Sequence, residues 1–148
     1  MKRIDIVKLL QVKERSVPFE TKQITTPETA VRLINQTFNL EEECQEVLGI
    51  ITLSTKLKVN GIHQVSRGTL NECHFSPRDI FKAAFSNNAE GIIIFHNHPS
   101  GDPTPSNHDI EGTKRLRQAG ELIGISVYDH VIIGENSFAS LRELGLLR

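Results

Sequence analysis

The run Gly91-Ile92-Ile93-Ile94-Phe95, followed at once by His96-Asn97-His98-Pro99, limits what this chain can fold into more than any other stretch. Apolar and rich in β-branched residues, the run reads as a buried strand. A strand repeats every two residues, so His96 and His98 leave the same face as neighbours. The segment after it, Ser100-Gly101-Asp102-Pro103-Thr104-Pro105, can neither continue a sheet nor lie inside a helix, and must loop. It ends at Ser106, where a helix can begin, with Asp109 in the first turn. From there a carboxylate can swing back over the strand end as a third ligand. Two histidines and one aspartate leave a fourth tetrahedral position for water, the pattern of catalytic rather than structural zinc. A plainer reading fits the same residues: Ser106-x-x-Asp109 makes a capping-box variant, with the acid near the positive end of the helix dipole. Spacing alone leaves both open.

The rest of the chain supplies a sheet for that strand. Thr26-Pro27-Glu28 is a helix start, and Ala30, Leu33, Ile34 and Phe38 then share one face of a helix ending near Thr37. A strand is expected from about Glu46 to Leu53, turning at Ser54-Thr55-Lys56 into a second through Val59, Ile62 and Val65, with Gly61 a bulge or close-packing point. A meander continues past Gly68 to Phe75. Ser76-Pro77 opens a helix with Ile80, Phe81, Ala84 and Phe85 towards the core, closed by Asn87-Asn88. After Asp109 the helix is expected to reach about Gln118, before Ala119-Gly120; a strand spans Ile125 to Ile133, and Phe138 to Leu147 makes a short strand and a helical turn. Residues 1–24 are irregular, with Ile4, Ile6, Val7, Leu9, Leu10 and Val12 favouring an edge strand over a short helix. Interleaved strands and helices predict an α/β fold with a mixed sheet flanked by helices.

Composition excludes several classes. At 148 residues the chain suits one compact domain. Lys plus Arg at 17 against Asp plus Glu at 18 gives no electrostatic case for coating nucleic acid. Lys114, Arg115 and Arg117 cluster, more simply as a solvated helix face than as a basic patch. Cys44 and Cys73 are far apart without a CxxC partner and read as semi-buried thiols, neither a disulfide framework nor a thiolate zinc cluster. No apolar segment approaches the ~20 residues that span a bilayer, and Asp5 and the lysines interrupt any signal peptide, so the cytoplasm is the expected compartment.

The whole string, His96-Asn97-His98-Pro99-Ser100-Gly101-Asp102-Pro103 with Ser106-x-x-Asp109 beyond it, resembles the metal signature of the JAB/MPN (JAMM) family of zinc-dependent peptidases, and more narrowly its RadC-type bacterial branch. Gly68-Thr69-Leu70-Asn71, Ser76-Pro77-Arg78-Asp79-Ile80-Phe81 and Asp129-His130-Val131-Ile132-Ile133-Gly134 agree with it. The similarity runs from about Glu43 to the C-terminus and more loosely back to Thr26, so residues 26–148 are expected to form the domain and residues 1–25 an N-terminal extension. The resemblance implies the JAB/MPN fold, related to the cytidine-deaminase-like architecture, with Zn2+ on His96, His98 and Asp109.

Amide hydrolysis also needs a base, and a carboxylate that does not ligate the metal serves in several zinc hydrolases. Glu41, Glu42, Glu43, Glu46, Glu72 and Glu90 are available, and spacing cannot choose among them. The resemblance points to Glu46 as the residue that reaches the attacking water. It also points to Ser106 as a hydrogen-bond partner of the oxyanion or of the metal-bound water, in competition with the cap reading. Asn97 faces away from the ligands and is structural; His108 breaks the motif spacing and is read as exposed. Asp129-His130 is either an acid orienting a ligand imidazole or a satisfied core pair, and is left outside the site. The expected function is hydrolysis of a peptide or isopeptide bond in a peptide or protein substrate, without membrane association. A non-catalytic scaffold is the alternative. So is a DNA-repair role, since RadC-type proteins carry that label, although the segment before Thr26 is too short for the helix-hairpin-helix of longer members and one tyrosine with no tryptophan offers little for stacking on bases. A zinc deaminase would need His-x-Glu and Pro-Cys-x-x-Cys, which the sequence lacks. His₂Asp suits zinc but also accommodates iron or manganese.

Overall fold

The computed structural model describes residues 1–68 and 75–147. The expected meander beyond Gly68, the motif residues Thr69 to Asn71, Glu72 and Cys73 lie outside the described residues. Helix α1, Pro27–Phe38, begins where the sequence dictates, with the Thr26 hydroxyl accepting the Thr29 amide and Pro27 in the first turn. Strands β1 (Val47–Leu53) and β2 (Val59–Arg67) precede helix α2 (Pro77–Ser86), which Ser76 caps. Strand β3 (Gly91–Asn97), helix α3 (Asn107–Ile123), strand β4 (Ser126–Ile133), strand β5 (Phe138–Ser140) and a 3-10 turn, Leu40–Glu42, between α1 and β1 complete the described elements. The strands form one mixed sheet in the order β2-β1-β3-β4-β5. Only β3 and β4 run parallel, joined by α3; the other neighbours are antiparallel.

Both faces of β1 and β3 are buried, which is why they read as unbroken apolar runs rather than as alternations. Val47, Ile51, Leu53, Ile93 and Phe95 pack towards α1. Leu48, Ile50, Ile92 and Ile94 pack towards α2 and α3 with Ile80, Phe81, Ala84 and Leu116. The alternation continues past the apolar run, so His96 inherits the α3 face from Ile94, and Asn97 inherits the α1 face from Phe95. In β4 the register against β3 shifts by one residue, from Ile92↔Val127 to Ile93↔Asp129. Val127 therefore packs towards α2 and α3, whereas Val131 and Ile133 pack towards α1. The extra residue brings His130 onto the His96 face, an effect of a bulge on strand phase.

Four local expectations are corrected. Residues 1–22 contain no strand or helix; Ile4, Ile6 and Val12 are 89–101% exposed. The isolated bridge Gln23↔Lys58 lies just beyond them, and among the described residues they make no β pairing; an unpaired strand cannot satisfy its backbone. Phe85 is 54% exposed because it lies beyond Phe81 at the margin of the apolar stripe of α2. Helix α3 does not stop near Gln118: Gly120 lets the Ile125 carbonyl approach where a Cβ would collide, and Gly124, at φ 83°, ends the helix. Cys44 is exposed rather than semi-buried. Gly61 is a close-packing point as expected, with Asn87 Oδ1 occupying the space of a Cβ. On α3, Lys114 pairs with Glu111 and Arg117 with Glu121. Among the described residues no helix is long and apolar enough to cross a membrane.

Candidate metal centre

The C-terminal end of β3, the loop after it and the first turn of α3 bring His96, His98 and Asp109 together. Their Nε2 atoms are 3.1 Å apart, with Asp109 Oδ1 3.3 Å from His96 Nε2 and Asp109 Oδ2 3.1 Å from His98 Nε2. Ligands at the corners of a tetrahedron, about 2.0–2.1 Å from a zinc ion, stand ~3.3 Å from one another. The separations and the donor chemistry both fit one metal ion. His96 is 1% exposed and Asp109 4%, so the ligand atoms sit inside the molecule, with His98 towards solvent.

The capping box and the ligand arrangement coexist. Ser106 Oγ accepts the Asp109 amide at 3.0 Å, and Asp109 Oδ2 accepts the Ser106 amide at 2.9 Å. The cap fixes the carboxylate over the strand end. Burial disfavours the Asp109 charge, but the neighbouring His96 and His98 imidazoles and the Ser106 amide outweigh it and hold the carboxyl far below its ordinary range. His98 is raised above its ordinary value, first by its hydrogen bond to Asp109, against the opposing effect of burial, and then by the Asp102 carbonyl and the Asp109 and Glu46 charges. The Asp102 carbonyl accepts from His98 Nδ1 at 2.8 Å, leaving Nε2 for the metal position.

Glu46 lies just before β1. The β1–β3 register pairs Leu48 with His96, and continued by two residues it sets Glu46 opposite His98 on the same face. Asn97, facing the other way, holds this approach: its Oδ1 accepts the Val47 amide at 2.7 Å and its Nδ2 donates to the Gln45 carbonyl at 3.0 Å. Glu46 is thus clamped on both sides. Of the other candidate bases, Glu41 and Glu42 border a groove that opens onto His98 together with Glu135, and Glu43 pairs with Arg67. His108 is exposed and stacks on Phe75, outside the ligand group.

Thr113 escaped the sequence reading, and His130, weighed with Asp129 and left outside the site, belongs to its surroundings. His130, wholly buried, places Nε2 2.7 Å from His96 Nδ1, and Thr113 Oγ1 lies 2.6 Å from His130 Nδ1. Burial, followed by the neighbouring His96, pushes His130 well below its ordinary value, so the ring is neutral. Asp129 does not orient an imidazole. It accepts the His130 amide, the Ser140 hydroxyl and the Arg142 amide, and so ties β4 to β5 and the turn beyond. The spacing Asp109-x-x-x-Thr113, one helical turn, was the available signal for Thr113. The phase shift in β4 concealed that His130, not Asp129, faces His96.

Residues 24–146 match the family model described as the RadC-like JAB domain. A UPF0758 protein of Clostridium beijerinckii is 50% identical over 125 residues, which cover 84% of this chain and 54% of that protein. A UPF0758 protein of Desulfitobacterium hafniense is 41% identical over 149 residues, 99% of this chain and 65% of that protein. One from Caldanaerobacter subterraneus subsp. tengcongensis is 44% identical over 126 residues, 85% and 53% respectively. The chain spans between about half and two thirds of the length of these relatives. With the mixed five-stranded sheet and the match over residues 24–146, the chain belongs to the RadC-like JAB domain family.

Proposed function

We propose that this chain is a zinc-dependent hydrolase of peptide or isopeptide bonds, with His96, His98 and Asp109 holding the ion. The observation that carries this reading is the set of three ligand atoms 3.1–3.3 Å apart beside the backbone-clamped Glu46. When bound, zinc supplies a Lewis acid that polarises a carbonyl and acidifies water. Glu46 acts as general base for the attacking water and passes the proton to the departing nitrogen. The β1–β3 register, which continued by two residues sets it opposite His98, and the effect of its charge on His98 support that role. Ser106 donates its hydroxyl hydrogen to the developing oxyanion, since its oxygen already accepts the Asp109 amide. A peptide or protein substrate lies along the groove bordered by Glu41, Glu42, His98 and Glu135.

Elemental mass spectrometry on protein purified without chelator tests the centre. The expected result is about one zinc per wild-type chain and little in His98→Ala. Peptide-library cleavage, present in wild type and lost in Glu46→Gln with zinc retained, then tests the hydrolase. Zinc retention without cleavage of any library would favour a scaffold. Absence of metal after zinc is supplied would reduce the strand-loop-helix to a capped turn.

A further inference from the structure

Among the described residues, His96 has no backbone carbonyl as a partner for its Nδ1, unlike His98. Strand β3 is paired on both edges, so the carbonyls beside His96 belong to ladder bonds. Its Nδ1 meets His130 Nε2 at 2.7 Å, His130 Nδ1 meets Thr113 Oγ1 at 2.6 Å, and Thr113 Oγ1 donates to the Asp109 carbonyl at 2.7 Å. The direction of every proton in this chain follows from its last member. A carbonyl only accepts, so the single hydroxyl hydrogen of Thr113 is committed to Asp109. Thr113 Oγ1 must then accept, which places the hydrogen of His130 on Nδ1. A neutral imidazole has one N–H, so His130 Nε2 accepts and His96 Nδ1 donates. The lone pair of His96 is left on Nε2, the atom 3.1 Å from His98 Nε2 and 3.3 Å from Asp109 Oδ1.

We infer that Thr113 and His130 form a relay of directed hydrogen bonds that locks His96 in the tautomer able to ligate a metal, making both positioning residues of the centre. The relay begins at one ligand, His96, and ends on the backbone of another, Asp109. Helix α3 therefore aims Asp109 and sets the proton on His96 through one turn. Solvent does not compete, because His96, His130 and Thr113 are each at most 1% exposed. Phe75 covers the two imidazoles edge-on, its centroid 5.5 Å from His96 and 5.4 Å from His130. Gly112 gives that ring its space. Partners that fix the other nitrogen of a ligand histidine commonly alter metal affinity 10–100-fold.

The inference rests on the metal-centre reading, and its test separates the two. Ring-15N NMR of the metal-free wild-type chain at neutral pH reads each tautomer without any substitution. The expected state is Nδ1–H for both His96 and His130; an Nε2–H tautomer at either ring overturns the relay. Zinc affinity is then measured by competition with a chromophoric chelator. Thr113→Val is expected to bind zinc at least ~10-fold more weakly, with Thr113→Ser restoring wild-type affinity. Equal affinity in Thr113→Val and wild type overturns the relay while leaving the centre intact. Failure of the wild type to bind zinc, with both rings in the Nδ1–H form, overturns the metal-centre reading alone.

Discussion

At the scale of single residues, the same side chain repeatedly serves the fold and the site. Asn97 satisfies a buried amide on one side of Glu46 and a carbonyl on the other. Replacing it with alanine leaves the Val47 amide without its acceptor. Asn97→Ala is expected to lower unfolding free energy by about 1–3 kcal/mol in a denaturant titration, and to reduce peptide cleavage beyond any loss of zinc. His98 and Asp109 give a pH dependence to the metal-free protein. The raised His98 contributes stability that is complete below its ordinary value of 6.5 and disappears as pH rises through its folded value. The depressed Asp109 contributes above its ordinary 3.8 and loses that contribution as pH falls towards its folded value. The pair is thus strongest between those two ordinary values. In chelator-treated protein, His98→Ala should cost more melting temperature at about pH 5.5 than at about pH 8.5; a larger cost at the alkaline end would reject this coupling.

At the scale of elements, the start of α3 is both a helix cap and one wall of the centre. Ser106 separates the roles, because glycine is a tolerable N-cap whereas alanine is not. Ser106→Ala is expected to cost about 1 kcal/mol and Ser106→Gly only a few tenths. Thermal melts of both, alongside cleavage assays, distinguish cap from oxyanion donor: a catalytic serine leaves Ser106→Gly stable but slow. Further along α3, a methyl group at Gly112 would collide with the Phe75 ring. Gly112→Ala should destabilise by about 1–3 kcal/mol through overpacking, read by thermal melting. The start of each helix was legible, since Thr26-Pro27, Ser76-Pro77 and Ser106 carry their caps in the sequence. The end of α3 was not, because Gly120 looks like a breaker until the Ile125 carbonyl is seen to need its space.

For the whole molecule, the proposed metal site would link binding to stability, because an ion that binds the native state alone stabilises it by mass action. Free zinc at 100 times its Kd should add about 2.7 kcal/mol to wild type and nothing to Asp109→Ala, measured as a rise in melting temperature. Residues 1–10 make no strand or helix, and their removal should change stability by less than about 0.5 kcal/mol. The apolar pattern of Ile4 to Val12 misled because hydrophobicity predicts burial only where a partner surface exists, and residues 1–22 form no ladder with the sheet. By itself the sequence determined the local matters: the period-two strand that puts His96 and His98 on one face, the proline-bearing loop, and the cap that puts Asp109 in the first turn of a helix. These follow from backbone sterics and short-range hydrogen bonds, which neighbouring residues dictate. Only the tertiary structure decided that Glu46 comes near enough for its charge to act on His98, that Asn97 clamps its flanks, and that a one-residue shift in β4 delivers His130 to His96. Strand register and bulges are settled by packing between segments distant in the chain, and no local pattern records which residues will meet there.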